Sequence, residues 1–329
     1  MLIVMDKSAA ADQIEAVAEL IRSMGLRAQV LPGSIRTAIG VMGNVGYVDA
    51  DQVMLMPGVR EIIHVSKPYK LVSREWKPED SVVRVGDVPI GGHSSFVLIA
   101  GPCSIESDEQ AIACAREVKK RGAAVFRGGI FKPRTAPYDF QGLGALGVAI
   151  LNEIRKNVGL PVVTEVLHVK NLELVASCAD MLQIGTRNMQ NFDLLVEAAR
   201  TGLPILLKRG MSAKMEEFLL AAEYILDAGN SQVVLCERGI RTFETATRNT
   251  LDLNTVALVR ELSHLPIIVD PSHGTGRASL VKPLSLASKA AGAHGVMVEV
   301  HPNPTRALSD GQQSLDFERF KELASALGF

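Results

Sequence analysis

The sequence predicts a closed (β/α)8 TIM barrel preceded by a small ferredoxin-like (βαββαβ) domain. Two rhythms carry that reading. From Phe96 onward, short runs rich in Val, Ile and Leu alternate with longer amphipathic segments, eight times in all. Parallel strands covered on both faces need such near-continuous apolar runs. Eight βα units over about 235 residues match the size of a closed barrel. An open doubly wound sheet fits less well, because no glycine-rich dinucleotide loop accompanies the first unit. Before residue 68 the order is strand, helix, strand, strand, helix, strand, the split βαβ arrangement.

The first domain is expected over 1–67. LIVMD is its first strand, and SAAADQIEAVAELIRSMG is a helix with apolar residues spaced three and four apart. RAQVLPG and TAIGVMGN read as strands, DADQVMLMPG as a short helix and REIIHVSK as the last strand. A linker and β-hairpin are expected over 68–95. SKPYKLVSREWKPED is polar, with two prolines and a lone Trp76, and reads as the linker. SVVRVGDVPIGG reads as a hairpin turning at VGDV, placed to plug the bottom of the barrel. The barrel then occupies 96–329. Its strands are FVLIAGP, AAVFRGG, LPVVTEV, DMLQIGT, LPILLKR, QVVLCER, LPIIVDP and HGVMVEV, and DFERFKELASALG is the closing helix.

Composition excludes several classes. Net charge is −1, so no global field attracts nucleic acid or an anionic membrane. No signal peptide opens the chain and no run reaches the ~18 apolar residues of a membrane span. Four scattered cysteines without a CxxC pair argue for a reducing, cytoplasmic setting. Cys114, Cys178 and Cys236 read as small buried hydrophobes.

In such barrels the working residues lie at the C-terminal ends of the strands. Ionisable groups stand there at strand after strand: Arg127, Glu165, Arg187, Lys208 with Arg209, Glu237 with Arg238, Asp270 with His273, and Glu299 with His301. Burying such groups unpaired costs several kcal/mol each, on the order of the whole stability margin. Cys103 in AGPCS, His273 in VDPSH, Glu299 in VEV and Asp310 in LSDG supply a sulfur, an imidazole nitrogen and two carboxylates. That mixed set suits one divalent ion such as Mn, Fe, Co or Zn. His301 is the rival ligand, and Asp310 read alone is equally a turn former before Gly311. His64, His93, His168, His264 and His294 read as structural or solvated.

Two groups of cations suggest two anions. In KPRT, Pro133 stiffens a loop on which Lys132, Arg134 and Thr135 can face one phosphate. Arg127, Arg187, Lys208 and Arg238 come from four strands and share only the barrel mouth, where they would repel one another without a bound anion. Two anionic substrates beside one metal imply a joining reaction.

AGPCSIES, RGGIFKPRTAP, VVTEV, QIGTRNMQN, LLKRG, CERGIRTF, VDPSHGTGR and VEVHPNPTRALSDGQQSL together resemble the 3-deoxy-D-arabino-heptulosonate-7-phosphate (DAHP) synthase family. The N-terminal domain resembles the regulatory extension of that family's type I β branch. The resemblance implies a transferase that condenses phosphoenolpyruvate with erythrose 4-phosphate, the first step of the shikimate pathway to aromatic amino acids. It implies a divalent metal on Cys103, His273, Glu299 and Asp310 that polarises the aldehyde. Arg187, Lys208 and Arg238 would hold the phosphoenolpyruvate phosphate, Arg127 and Lys132 its carboxylate, and Pro133, Arg134 and Thr135 the far phosphate. Lys132 or a metal-bound water would protonate the new alkoxide. Glu165, set beside Lys208, would position the water that adds at C2. An aromatic amino acid effector, tyrosine or phenylalanine, and a homotetramer are further implications, as is an N-terminal domain serving assembly alone. The related 3-deoxy-D-manno-octulosonate-8-phosphate synthases, which use arabinose 5-phosphate, are the alternative within the class. They carry a KANR-like segment where this chain has KPRT. A non-catalytic small-molecule sensor is the alternative outside it.

Overall fold

The computed structural model describes residues 1–33, 36–43, 48–63 and 68–329. His64, the end of the REIIHVSK segment and the last residue of TAIGVMGN lie outside the described residues. Two compact units divide the chain, Met1–Lys70 and Leu71–Phe329.

In the first unit, β1 (Leu2–Met5), β2 (Arg27–Pro32), β3 (Thr37–Met42) and β4 (Val59–Ile63) form an antiparallel sheet in the order β2-β3-β1-β4. Helices α1 (Ala11–Ser23) and α2 (Ala50–Met54) complete the ferredoxin-like order. Alternate residues of β1 and β3, Ile3 and Met5 with Ile39 and Val41, point into one core. Val17 and Ile21 of α1, one turn apart, meet them there. Asp49 caps α2 by accepting from the N–H groups of Asp51 and Gln52.

In the second unit, a two-stranded hairpin of β5 (Val82–Val85) and β6 (Val88–Gly91) precedes the barrel. Eight parallel strands close on themselves: β7 (Val97–Gly101), β8 (Val125–Arg127), β9 (Val162–Val166), β10 (Met181–Ile184), β11 (Ile205–Lys208), β12 (Val233–Glu237), β13 (Ile267–Val269) and β14 (Gly295–Glu299). The covering helices are α3 (Asp108–Lys120), α4 (Gly147–Glu153), α5 (Leu172–Ala176), α6 (Phe192–Arg200), α7 (Met215–Asp227), α8 (Asn254–Leu262), α9 (Pro271–Thr275), α10 (Ala278–Ala290) and α11 (Phe317–Leu327). The hairpin is the plug. Val83, Val85 and Ile90 are fully buried and share one core with the inward residues of all eight strands. Gly86 and Gly91 lie against Pro161 and Pro266, the residues that lead into β9 and β13, so the N-terminal end is the one closed. Each such buried aliphatic contributes ~1.5–3 kcal/mol.

The segment read as a polar linker is different from expectation beyond Lys70. Leu71, Val72 and Trp76 are buried within the barrel unit. Glu223 on α7 accepts from the Leu71 and Val72 N–H groups at 2.8 and 3.0 Å. Arg74, one of the polar residues that suggested a linker, donates to the Arg260 carbonyl at 2.7 Å.

Candidate active site

Strand alternation explains why the barrel mouth is polar. Ile99, Val125, Val163, Met181, Leu206, Cys236, Ile268 and Met297 point inward and form the apolar layer. Two residues further along each strand the same inward direction recurs, and there stand Gly101, Arg127, Glu165, Gln183, Lys208, Arg238, Asp270 and Glu299. The chain changes from apolar to polar in one layer. Gly101 has φ +156°, and a Cβ there would lie 2.0 Å from the Arg127 carbonyl oxygen. Gly185 leaves room for a functional group: a Cβ on it would lie 1.8 Å from Glu165 Oε1.

Four donors converge at one side of this layer. One ligand atom each from Cys103, His273, Glu299 and Asp310 falls within 4.8 Å of all the others. His273 Nε2 is 3.2 Å from Glu299 Oε1 and 4.0 Å from Asp310 Oδ2, and Cys103 Sγ is 3.1 Å from that same Oδ2. His301, the rival ligand, is instead directed at Glu106, 3.3 Å away.

The donor set fits a divalent ion. Asp270 accepts from His273 Nδ1 at 2.8 Å, which leaves the Nε2 lone pair toward the cluster. Burial pushes the imidazolium down, so the ring is favoured in its neutral, ligating form. Burial opposes charge on Asp270, yet His273 and Lys208 hold its carboxyl well below the usual range. Glu299 and Asp310 are also held down against burial, Glu299 by His273 when that ring carries a proton and by Arg127, and Asp310 chiefly by Lys132. Burial, followed by the Glu299 charge, pushes the Cys103 thiol up. A divalent cation reverses that tendency, since a coordinating thiol loses its proton.

One cavity takes in the cations and reaches the cluster at His273 and Asp310. Arg127, Lys132, Pro133, Arg134, Thr135, Glu165, Arg187, Lys208 and Arg238 all line it, together with His273 and Asp310. Two of the four strand-end cations, Arg127 and Lys208, are paired with carboxylates rather than left to repel their neighbours. Arg127 Nη1 donates to Glu299 Oε1 at 2.8 Å, and Lys208 pairs with Asp270. Lys132 Nζ lies 2.6 Å from both Cys103 Sγ and Asp310 Oδ2, so it faces the donor cluster rather than the outer half of KPRT. Arg134 donates to the Leu308 carbonyl and to Asp139. Arg238 is 4 % exposed, and its guanidinium donates to the Gly239 carbonyl. Burial lowers its tendency to stay charged, an imbalance that an anion in the cavity corrects.

Glu165 is not paired with Lys208 as expected. Of the two buried carboxyls, Asp270 is the one held ionised, and it takes the ammonium. Glu165 accepts from Gln183 Nε2 at 3.1 Å. Its burial pushes the carboxyl up, with Lys132 and Lys208 opposing.

Sequence reasoning gave no role to Asp270, Gln183, Arg248 or Gln313. The first two are marked by the period-two continuation of β13 and β10. Arg248 and Gln313 stand in loops with no periodic signal. His264 is buried between Ser81 Oγ and the Leu71 carbonyl, and His294 is hydrogen-bonded to Ile267, while His93 and His168 are exposed. Cys114, Cys178 and Cys236 are buried free thiols.

Comparison with known proteins agrees with this geometry. Residues 69–328 match the DAHP synthetase I family, and residues 1–67 match the DAHP synthase ferredoxin-like domain. The phospho-2-dehydro-3-deoxyheptonate aldolase of Thermotoga maritima is 51% identical over 327 residues, 99% of this chain and 96% of that relative. A 2-dehydro-3-deoxyphosphooctonate aldolase of Syntrophotalea carbinolica is 33% identical over 258 residues, 73% of this chain and 92% of that relative. The crystal structure of the Thermotoga maritima phospho-2-dehydro-3-deoxyheptonate aldolase (DAHP synthase) matches with a TM-score of 0.78 at 51% identity, covering 98% of this chain and 95% of that one.

Proposed function

The chain belongs to the DAHP synthetase I family, and from that premise we propose how its barrel residues divide the work. The enzyme is a 3-deoxy-7-phosphoheptulonate synthase: it condenses phosphoenolpyruvate with erythrose 4-phosphate to give DAHP and phosphate, the first step of the shikimate pathway. The observation that carries the division of roles is one cavity lined by a wall of cations and by His273 and Asp310 of the four-donor cluster.

Cys103, His273, Glu299 and Asp310 would hold a divalent ion of the Mn, Fe, Co or Zn kind. When bound, such an ion supplies Lewis acidity toward an aldehyde oxygen. Arg187, Lys208 and Arg238 hold the phosphate of phosphoenolpyruvate, and Arg127 with Lys132 its carboxylate. Arg134 and Thr135, on a loop fixed by Pro133, hold the phosphate of erythrose 4-phosphate. Clamping both ends places C3 of the enol against the aldehyde carbon, which accounts for proximity. Lys132, kept protonated by Cys103, Asp310 and Glu299 against burial, is placed to give its proton to the new alkoxide. Glu165, its carboxyl raised by burial and facing the cavity, is placed to take a proton from the water that adds at C2. Phosphate then leaves with its bridging oxygen.

The N-terminal domain binds an aromatic amino acid, tyrosine or phenylalanine, and thereby regulates the barrel; its match to the DAHP synthase ferredoxin-like domain supports this. The same family resemblance supports a homotetramer. The four free cysteines support a cytoplasmic setting, and among the described residues no helix is long and apolar enough to cross a membrane.

Phosphate release from phosphoenolpyruvate with each aldose tests the substrate assignment. Erythrose 4-phosphate is the expected acceptor, and preference for arabinose 5-phosphate would overturn it. Titrating tyrosine and phenylalanine into the same assay tests the regulatory role, which fails if neither changes the rate.

A further inference from the structure

Each carboxylate of the donor cluster has an inner and an outer oxygen. The inner ones, Glu299 Oε1 and Asp310 Oδ2, face His273 Nε2 at 3.2 and 4.0 Å. The outer ones are held by two residues outside the cluster. Arg248 Nη1 donates to Asp310 Oδ1 at 3.0 Å and to Gln313 Oε1 at 2.8 Å. Gln313 Nε2 donates to Glu299 Oε2 at 2.7 Å. We propose that Arg248 and Gln313 form a clasp that orients Glu299 and Asp310 together for a divalent cation, with Gln313 as the positioning residue between them.

The chemistry of the chain of contacts admits few alternatives. A guanidinium only donates and an ionised carboxylate only accepts. The group between them must accept at one end and donate at the other, which a side-chain amide does. Arg248 therefore fixes which way the Gln313 amide points. Gln313 is 2 % exposed and Glu299 is fully buried, so water does not replace the bond between them. The Asp310 backbone also needs support. Its φ is +49°, the sole positive value at a non-glycine residue among the described residues. Such a conformation persists where its surroundings over-determine it. Here Gln313 N–H donates to the Asp310 carbonyl at 3.3 Å and Ser314 Oγ to the same oxygen at 3.1 Å. Gln313 thus grips Asp310 through its backbone, Glu299 through its side chain, and Arg248 through its carbonyl oxygen.

This inference rests on the metal reading proposed above, and the test separates the two. Mn2+ binding is measured on the full-length chain without substrates, by the EPR signal of free Mn2+, for wild type, Gln313→Met and Arg248→Lys. Thermal unfolding of the metal-free proteins is followed alongside. Gln313→Met keeps the length and apolar stem of the side chain but removes both hydrogen bonds. Arg248→Lys keeps the charge at a partly exposed site and removes the fork. Loss of such outer partners weakens metal binding by about 10–100-fold. That loss is expected in Gln313→Met, with a smaller loss in Arg248→Lys; metal-free unfolding should move to lower temperature in Gln313→Met, where the buried Glu299 Oε2 loses its donor, and change little in Arg248→Lys. Unchanged Mn2+ affinity in both variants would overturn the clasp alone. Wild-type protein that binds no divalent cation would overturn the metal reading, and the clasp with it.

Discussion

Asp270 holds His273 with both of its carboxylate oxygens: Oδ1 accepts the backbone N–H at 2.9 Å and Oδ2 accepts ring Nδ1 at 2.8 Å. The ring is thereby fixed in orientation and tautomer, and Oδ2 also pairs with Lys208. Asp270→Asn removes the charge that both partners need. Mn2+ affinity should fall by about 10–100-fold. Thermal stability should fall as well, since removing one partner of a buried pair costs ~3–5 kcal/mol. Metal titration of the folded variant and its melting curve check both, and wild-type affinity in Asp270→Asn would contradict the account.

Lys132 shares Cys103 and Asp310 with any bound cation. Lys132→Ala should lower turnover by ~10²–10⁴-fold, the range for loss of a positioned proton donor, while Mn2+ binding stays equal or tightens. Steady-state rates beside a metal titration separate the two effects. Normal turnover would refute the role given to Lys132.

Glu165 has its place because position 185 lacks a side chain. Gly185→Ala should displace the Glu165 carboxyl and lower kcat by about tenfold or more, within the range for impaired proton transfer. Overpacking of this kind costs ~1–3 kcal/mol of stability. Kinetics and a urea titration measure the two consequences, and unchanged kcat would show that Glu165 does not act in the reaction.

His264 predicts a pH dependence of stability. Burial is the first cause that lowers it from 6.5 to about 4, and Lys77 and Arg74 add to it. Burial likewise lowers His294 to about 4. Each histidine is therefore neutral in the fold at a pH where the unfolded chain binds a proton. The contribution is fully present above pH ~6.5 and is lost as pH falls toward 4. At pH 5 each group has forfeited roughly 2 kcal/mol. The urea midpoint at pH 5 should lie below that at pH 7; a midpoint that is equal or higher would contradict the assignment.

Much of this architecture was legible in the residues. The eight apolar runs coincide with β7 to β14, because a strand buried on both faces leaves no polar position until it reaches the mouth. Cys103, His273, Glu299 and Asp310 were recoverable as ligand types, and their convergence within 4.8 Å follows from strand ends and loops meeting at one rim. Pairing was less legible. Nothing in the order of residues says that Lys208 takes Asp270 rather than Glu165, since strand separation alone does not rank two buried carboxyls. Trp76 shows the same limit: a polar, proline-bearing segment docks when a helix such as α7 offers it Glu223. Arg248 and Gln313 act from irregular loops, where period carries no information.

The most direct test is phosphate release from phosphoenolpyruvate and erythrose 4-phosphate by enzyme stripped of metal with a chelator and then given back Mn2+. Release should vanish on stripping and return with the ion, in wild type but not in Cys103→Ser. Full activity in the stripped enzyme would contradict the account.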